Sequence, residues 1–138
     1  MKVGLSSHTL FFSLPLLVSL VVVSGGWSIF TYRHIYVKND LGNNILLIAH
    51  CESGNRDIGV QNLNYQQEFK FQFQVDISGP TKYNCSLTWD DKLHRFDVYD
   101  SNRDGNQCKD CKWNIQKDRP CRFNFDTQKY DLCDYSYY

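Results

Sequence analysis

The chain has 138 residues, with 15 Lys and Arg against 15 Asp and Glu. A formal charge of zero excludes the basic field that draws proteins to nucleic acid or anionic lipid, and there is no acidic tail. Six cysteines and a rich aromatic set (nine Tyr, nine Phe, three Trp) point instead to a small domain suited to an oxidising compartment.

In chain order, Met1 and Lys2 precede an apolar run from about Leu10 to Val23, followed by Ser24-Gly25-Gly26. A basic start, an apolar stretch and small residues form the pattern of a secretory signal. The run is shorter than the roughly 20 apolar residues that span a bilayer, and it contains Pro15. Residues 1–26 are therefore expected to be removed, leaving residues 27–138 as one domain. Lys2 leaves with the signal, so the remaining chain stays close to neutral.

The rest reads as β-structure. Phe30–Val37 predicts a first strand, and the apolar run Ile45–His50 suits a central one. Glu68–Val75 alternates apolar and polar residues, the period of a strand with one buried face. Tyr83, Cys85, Leu87 and Trp89 share one face of another strand. The turn cluster Ser78-Gly79-Pro80 lies between these two strands and predicts a hairpin. His94–Tyr99 alternates again, and Lys112–Gln116 and Arg122–Phe125 flank a turn at Lys117-Asp118-Arg119-Pro120. No window of a dozen residues carries a helical period. The fold class is all-β, a small disulfide-stapled antiparallel sandwich. Its staples come from Cys51, Cys85, Cys108, Cys111, Cys121 and Cys133. The pairing is open, except that Cys108 and Cys111 are expected to bond to different partners.

Motifs that carry chemistry are few. Cys108-Lys109-Asp110-Cys111 has the spacing of a redox or zinc pair, but its flanks read as loop and strand, and no second ligand pair matches it. Asp100-Ser101-Asn102-Arg103-Asp104-Gly105 resembles the first half of a calcium loop, yet the twelfth position is Cys111 where a glutamate is needed, and Arg103 opposes a cation. A plain Asx-rich turn is the expectation, with no metal or cofactor. His34, His50 and His94 supply enough histidines for a nuclease, but no motif joins them, and Asp90/Asp91 reads as a solvated turn, so no enzyme is expected. Asn84-Cys85-Ser86 is a glycosylation sequon, with Asn84 facing out if Cys85 faces in.

An ordered set of segments carries a resemblance. They are Asn39–Asn44 running into Leu46–Cys51, Asp57-Ile58-Gly59, Phe69–Phe73, Cys85, Trp89, Phe96–Asp100, Arg103-Asp104, Cys111–Ile115, Pro120-Cys121 and Tyr130–Cys133. Together they resemble the plant self-incompatibility S-protein homologue family over nearly the whole chain after residue 26. Arg119 departs from the glycine usual before Pro-Cys, and the C-terminal segment lacks a tryptophan often found there. The resemblance implies a secreted, disulfide-bonded β-sandwich acting as a ligand for a plant cell-surface receptor. The neutral charge predicts no nucleic-acid partner, and membrane contact is expected only through the receptor.

On a rigid sandwich, recognition falls to the loops. The candidate partner loops are Glu52–Asp57, Asp76–Lys82, Asp90–Lys92 and Ser101–Gln107, with Glu52, Asn55, Arg56, Asp57, Lys82, Asp90, Asp91, Lys92, Asn102 and Arg103 as contact residues. The expected function is a secreted, monomeric signalling ligand, in pollen–pistil rejection or another form of cell–cell signalling. The alternative is a carbohydrate or cell-wall binding module that stacks sugars on Tyr135, Tyr137 and Tyr138.

Overall fold

The computed structural model describes residues 31–75 and 79–138. The expected signal segment lies outside them, as does part of the Asp76–Lys82 loop. Among the described residues nine strands form two sheets: β1 (Tyr32–Asn39), β2 (Leu47–Glu52), β3 (Asp57–Leu63), β4 (Glu68–Gln74), β5 (Lys82–Trp89), β6 (Lys92–Asp100), β7 (Asp110–Ile115), β8 (Pro120–Asn124) and β9 (Lys129–Leu132). One sheet has the order β4-β1-β7-β8-β9 and the other β3-β2-β5-β6. A single helical turn, α1 (Ser101–Asp104), joins β6 to β7. The sandwich is antiparallel except where β1 runs parallel to β7.

The alternating strands bury the faces their sequences mark. Ile35 and Val37 of β1, Phe71 and Phe73 of β4, Tyr83, Cys85, Leu87 and Trp89 of β5, and Trp113 and Ile115 of β7 all lie in one core. Trp113 is fully buried, and its indole donates to the carbonyl of Val98 on the opposing sheet at 2.8 Å. A buried indole needs such a partner, because an unmet donor costs more than the bond contributes.

The hairpin expected between Glu68–Val75 and Tyr83–Trp89 does not form. β4 pairs with β1, whereas β5 lies in the other sheet between β2 and β6. The connection between them, which lies partly outside the described residues, leads from one sheet to the other. The two apolar faces meet across the core, with Tyr83 5.2 Å from Phe71 and 4.7 Å from Phe73 between ring centroids. The β7–β8 hairpin at 117–120 forms as expected, pairing Ile115 with Pro120. β3 and β9 were not anticipated. Each is a sheet edge with a mostly exposed or half-buried pattern, so neither has a clean apolar alternation to detect.

The disulfides are Cys51–Cys85, Cys108–Cys111 and Cys121–Cys133, with no cysteine free. Cys108 and Cys111 therefore bond each other, against expectation. Cys111 begins the buried face of β7, and the preceding loop folds Cys108 back beside it, so neither sulfur is directed at another cysteine. Cys51 and Cys85 are paired positions on adjacent strands, both fully buried. Cys121 of β8 reaches just past the end of β9. No disulfide joins one sheet to the other, so side-chain packing holds the two layers together.

Loop-closure entropy orders the three bonds by their spacings of 34, 12 and 3 residues. Replacing each pair by alanine is expected to cost about 4, about 3 and under about 2 kcal/mol respectively in denaturant unfolding. Equal losses for all three pairs would contradict this order.

Candidate loop face

Strand register sorts the loops by end. β1, β3, β5, β7 and β9 run one way, and the strands between them run back. The 53–56, 75–81, 101–109 and 125–128 connections therefore gather where β1 begins. The 40–46, 64–67, 90–91 and 116–119 connections gather at the opposite end. Three of the four candidate partner loops thus share one face, and Asp90–Lys92 is separated from them.

The 53–56 turn is closed by Ser53 N–H donating to the Arg56 carbonyl at 2.8 Å. Arg56 reaches across to the Gln72 carbonyl of β4 at 2.7 Å, tying the turn to the other sheet. Glu52 and Asn55 are exposed. Beside them a cleft of 470 Å³ is lined by Ser53, Gly54, Asn55, Gln74, Pro80 and Lys82. The Lys82 ammonium lies 3.9 Å from Asp97 and 3.8 Å from Asp100. Both pairs are long and Lys82 is well exposed, so they orient the cation without contributing much stability.

Asp57 turns onto the outer face of the β2–β3 pair through a bulge after Cys51, where Gly59 takes a φ of 90°. The Gly59 N–H and the His50 ring hold its carboxyl below the ordinary carboxylate range. His50, Glu52 and Asp57 place ligand atoms within 4.8 Å of one another, a grouping with the donor types of a metal site among the described residues. His50 Nε2 and Asp57 Oδ1 already satisfy each other at 2.7 Å.

The 101–109 connection is built differently. Asp100 caps α1 by accepting from Asn102 N–H at 3.0 Å. Gly105 closes the turn so tightly that a Cβ there would lie 2.5 Å from the Ser101 carbonyl oxygen. Asp104 is fully buried and accepts two hydrogen bonds from Arg103 at 2.7 Å, one from the Asp100 N–H at 3.0 Å, and one from Arg122 at 3.4 Å. Burial works against the charge on Arg103, but Asp104 outweighs it and holds the guanidinium above its ordinary value. The same guanidinium lies 5.1–5.4 Å from the ring centres of Phe96, Trp113 and Tyr135. Arg103 is thus held by an internal tie with its side chain 29% exposed, while Asn102 beside it is exposed. The half calcium motif is spent on the same ties, since one carboxylate caps the helix and the other is shared by two arginines.

At the opposite end, Asp90 and Asp91 both have positive φ, 50° and 59°. This is the two-residue reversal that pairs Trp89 with Lys92, so the carboxylate pair is a turn requirement. The three histidines do not converge. His34 contacts Gln72 and Asp110, His50 contacts Asp57, and His94 stacks on Trp89 at 3.7 Å. Asn84 lies on the outer face of β5, as expected, where its amide donates to Asp97 at 2.9 Å and to the Tyr138 hydroxyl at 2.7 Å.

With this geometry in view, the model of the plant self-incompatibility protein S1 family matches residues 34–135. The chain belongs to this family. It is 39% identical to S-protein homolog 2 of Arabidopsis thaliana over 106 residues, which is 73% of this chain and 66% of that one. It is 41% identical to S-protein homolog 5 over 55% of this chain and 59% of that one, and 33% identical to S-protein homolog 3 over 78% and 73%. The match thus spans less than two thirds of the first two relatives. A solved structure of SPH proteins, described as small, highly stable, secreted proteins from plants, superposes with a TM-score of 0.54 at 24% identity. It covers 67% of this chain and 84% of its own, and it supports the fold.

Asp104→Asn removes the charge shared by Arg103 and Arg122. It is expected to cost about 3–5 kcal/mol in denaturant unfolding. A loss below about 1 kcal/mol would mean that the two arginines find other partners. Calcium at millimolar concentration is expected to leave the melting temperature of the oxidised protein unchanged. A rise of several degrees would restore the calcium reading of the 100–105 segment.

Proposed function

We propose that this protein is a secreted plant signalling ligand, recognised by a cell-surface receptor through the loop face where β1 begins. The observation that carries this is the gathering of exposed Glu52, Asn55, Lys82 and Asn102 at one end of a stapled sandwich. Family membership supports the reading, as does the secreted character of the SPH proteins that share the fold. Three disulfides suit an oxidising compartment outside the cytosol. The scattered histidines favour recognition over catalysis, and the protein acts here as a monomeric, non-enzymatic ligand. A glycan on Asn84 fits secretion but would compete with Asp97 and Tyr138 for the same amide nitrogen.

The carbohydrate-binding alternative loses its platform. Tyr135 packs edge-on to Trp113 at 4.9 Å, and Tyr137 lies against Trp89 at 5.5 Å while donating to the Gln116 carbonyl at 2.6 Å. Burial pushes the Tyr137 hydroxyl well above its ordinary pKa. Of the three tyrosines only Tyr138 is strongly exposed, and one ring does not make a stacking surface.

Labelled oxidised protein is expected to bind plant plasma membranes saturably and in a protease-sensitive manner. Glu52→Lys or Asn102→Lys should weaken that binding about tenfold, equivalent to about 1.4 kcal/mol. Lys92→Glu, at the opposite end, should leave it unchanged, and all three variants should keep the parent melting temperature. Binding only to cell walls, competed by soluble polysaccharide, would overturn the receptor reading.

A further inference from the structure

We propose that the Cys108–Cys111 disulfide is a thiol-exchange site, opened by a small thiol or a protein dithiol while the other two disulfides persist. The proposal stands apart from the receptor reading and rests on four features of this bond. It closes only three residues, so it constrains the unfolded chain least of the three. Cys108 is partly exposed and forms part of a 390 Å³ cleft with Phe123, Phe125 and Leu132. Arg122, 5% exposed and fixed by Gln107 at 2.9 Å and by Asp104, points a guanidinium N–H at Cys108 Sγ at 3.7 Å. A built-in cation beside a sulfur favours the thiolate that exchange produces. Cys111 is fully buried, with its sulfur 3.5 Å from the Cys108 carbonyl oxygen, an acceptor ready for the thiol proton once the bond is broken.

The chemistry follows from these positions. An incoming thiolate attacks the accessible Cys108 Sγ, forms a mixed disulfide and expels Cys111 as a thiolate, which takes a proton from solvent and donates it toward the Cys108 carbonyl. A second thiolate of the reductant then attacks the mixed disulfide. It leaves as the oxidised disulfide of the reductant and frees Cys108 as a thiolate beside Arg122. Two thiols are oxidised and one protein disulfide is reduced. Cys51–Cys85 is sealed in the core. Cys121–Cys133 also joins a buried cysteine to a partly exposed one beside a cleft of 400 Å³, but it closes 12 residues, and its sulfurs meet oxygens, Gln116 Oε1 and the Tyr130 carbonyl, each at 3.7 Å, where Cys108 meets a guanidinium.

The test is graded reduction of the oxidised protein by glutathione, and separately by thioredoxin as a protein dithiol. Alkylation and peptide mass mapping report which bond opens, and circular dichroism follows the fold. Cys108–Cys111 is expected to open at least about tenfold faster than either other bond, with the β-spectrum retained. A preference for thioredoxin would identify a protein partner, and equal rates would identify a small thiol; both support the site. A Cys111→Ser variant should accumulate a mixed disulfide at Cys108 with oxidised glutathione. The proposal is overturned if Cys108–Cys111 opens last, or if all three bonds open together as the fold is lost.

Discussion

One buried carboxylate organises the end of this molecule where β1 begins. Asp104 is inaccessible to water, yet it meets two guanidinium groups and a backbone N–H. A lone charge in that position would be untenable, and so would either arginine without it. The cluster fixes three things at once. It pins α1 against β6 through the Asp100 N–H, places Arg103 over the aromatic group of Phe96, Trp113 and Tyr135, and draws β8 toward the 101–109 loop through Arg122. Arg103 and Asp104 tie the loop from inside, and its outer residues, such as Asn102 and Asn106, meet solvent.

The staples and the core divide their work. Each disulfide closes contacts within one sheet or its adjoining loop, and none crosses the sandwich. Cohesion between the layers comes from interdigitated rings: Tyr83 against Phe71 and Phe73, Phe73 against Tyr99, and Phe96 against Trp113. Such contacts depend on apolar area and ring geometry. The closing segment adds to them, since Tyr135 and Tyr137 pack on the core edge and the backbone of Tyr138 exchanges two hydrogen bonds with Arg95. The tyrosines offered in the sequence as a sugar-stacking set form, in the fold, an extra layer over β6.

What the sequence revealed follows from how local each signal is. A period of two needs only its own strand, so the buried faces of β4 and β5 were legible from Phe71, Phe73, Tyr83 and Leu87. Pairing is not local, and the same turn residues serve a hairpin or a crossing between sheets; the β4–β5 connection was misread for that reason. The edge strand β3, with Gly59 and a polar stretch at Gln61-Asn62, offered no alternation to read. At the candidate face, the polar loops were visible as composition, but the inward turn of Arg103 was not. A charged residue in an Asx-rich stretch looks solvated until a buried aspartate is found beside it. The Arg103-Asp104 pair next to an aromatic-rich strand was the only hint available.

The loop face therefore has two mechanical regimes side by side. The 53–56 turn is held by one backbone hydrogen bond, the Ser53 hydroxyl donating to Asn55 Oδ1 at 3.2 Å and the reach of Arg56, so its exposed side chains can be exchanged with little effect on the fold. The 101–109 loop is anchored by a buried ionic cluster, and its interior tolerates almost no exchange. On the receptor reading proposed above, a rigid wall would set orientation and a changeable turn would set choice. Here the changeable part projects from the β2–β3 hairpin beside the 470 Å³ cleft, and the rigid part rises from α1. Specificity that varied among otherwise similar chains would accordingly collect at positions such as Glu52 and Asn55, and not at Arg103 or Asp104, where a change in charge would reach the core before it reached a partner.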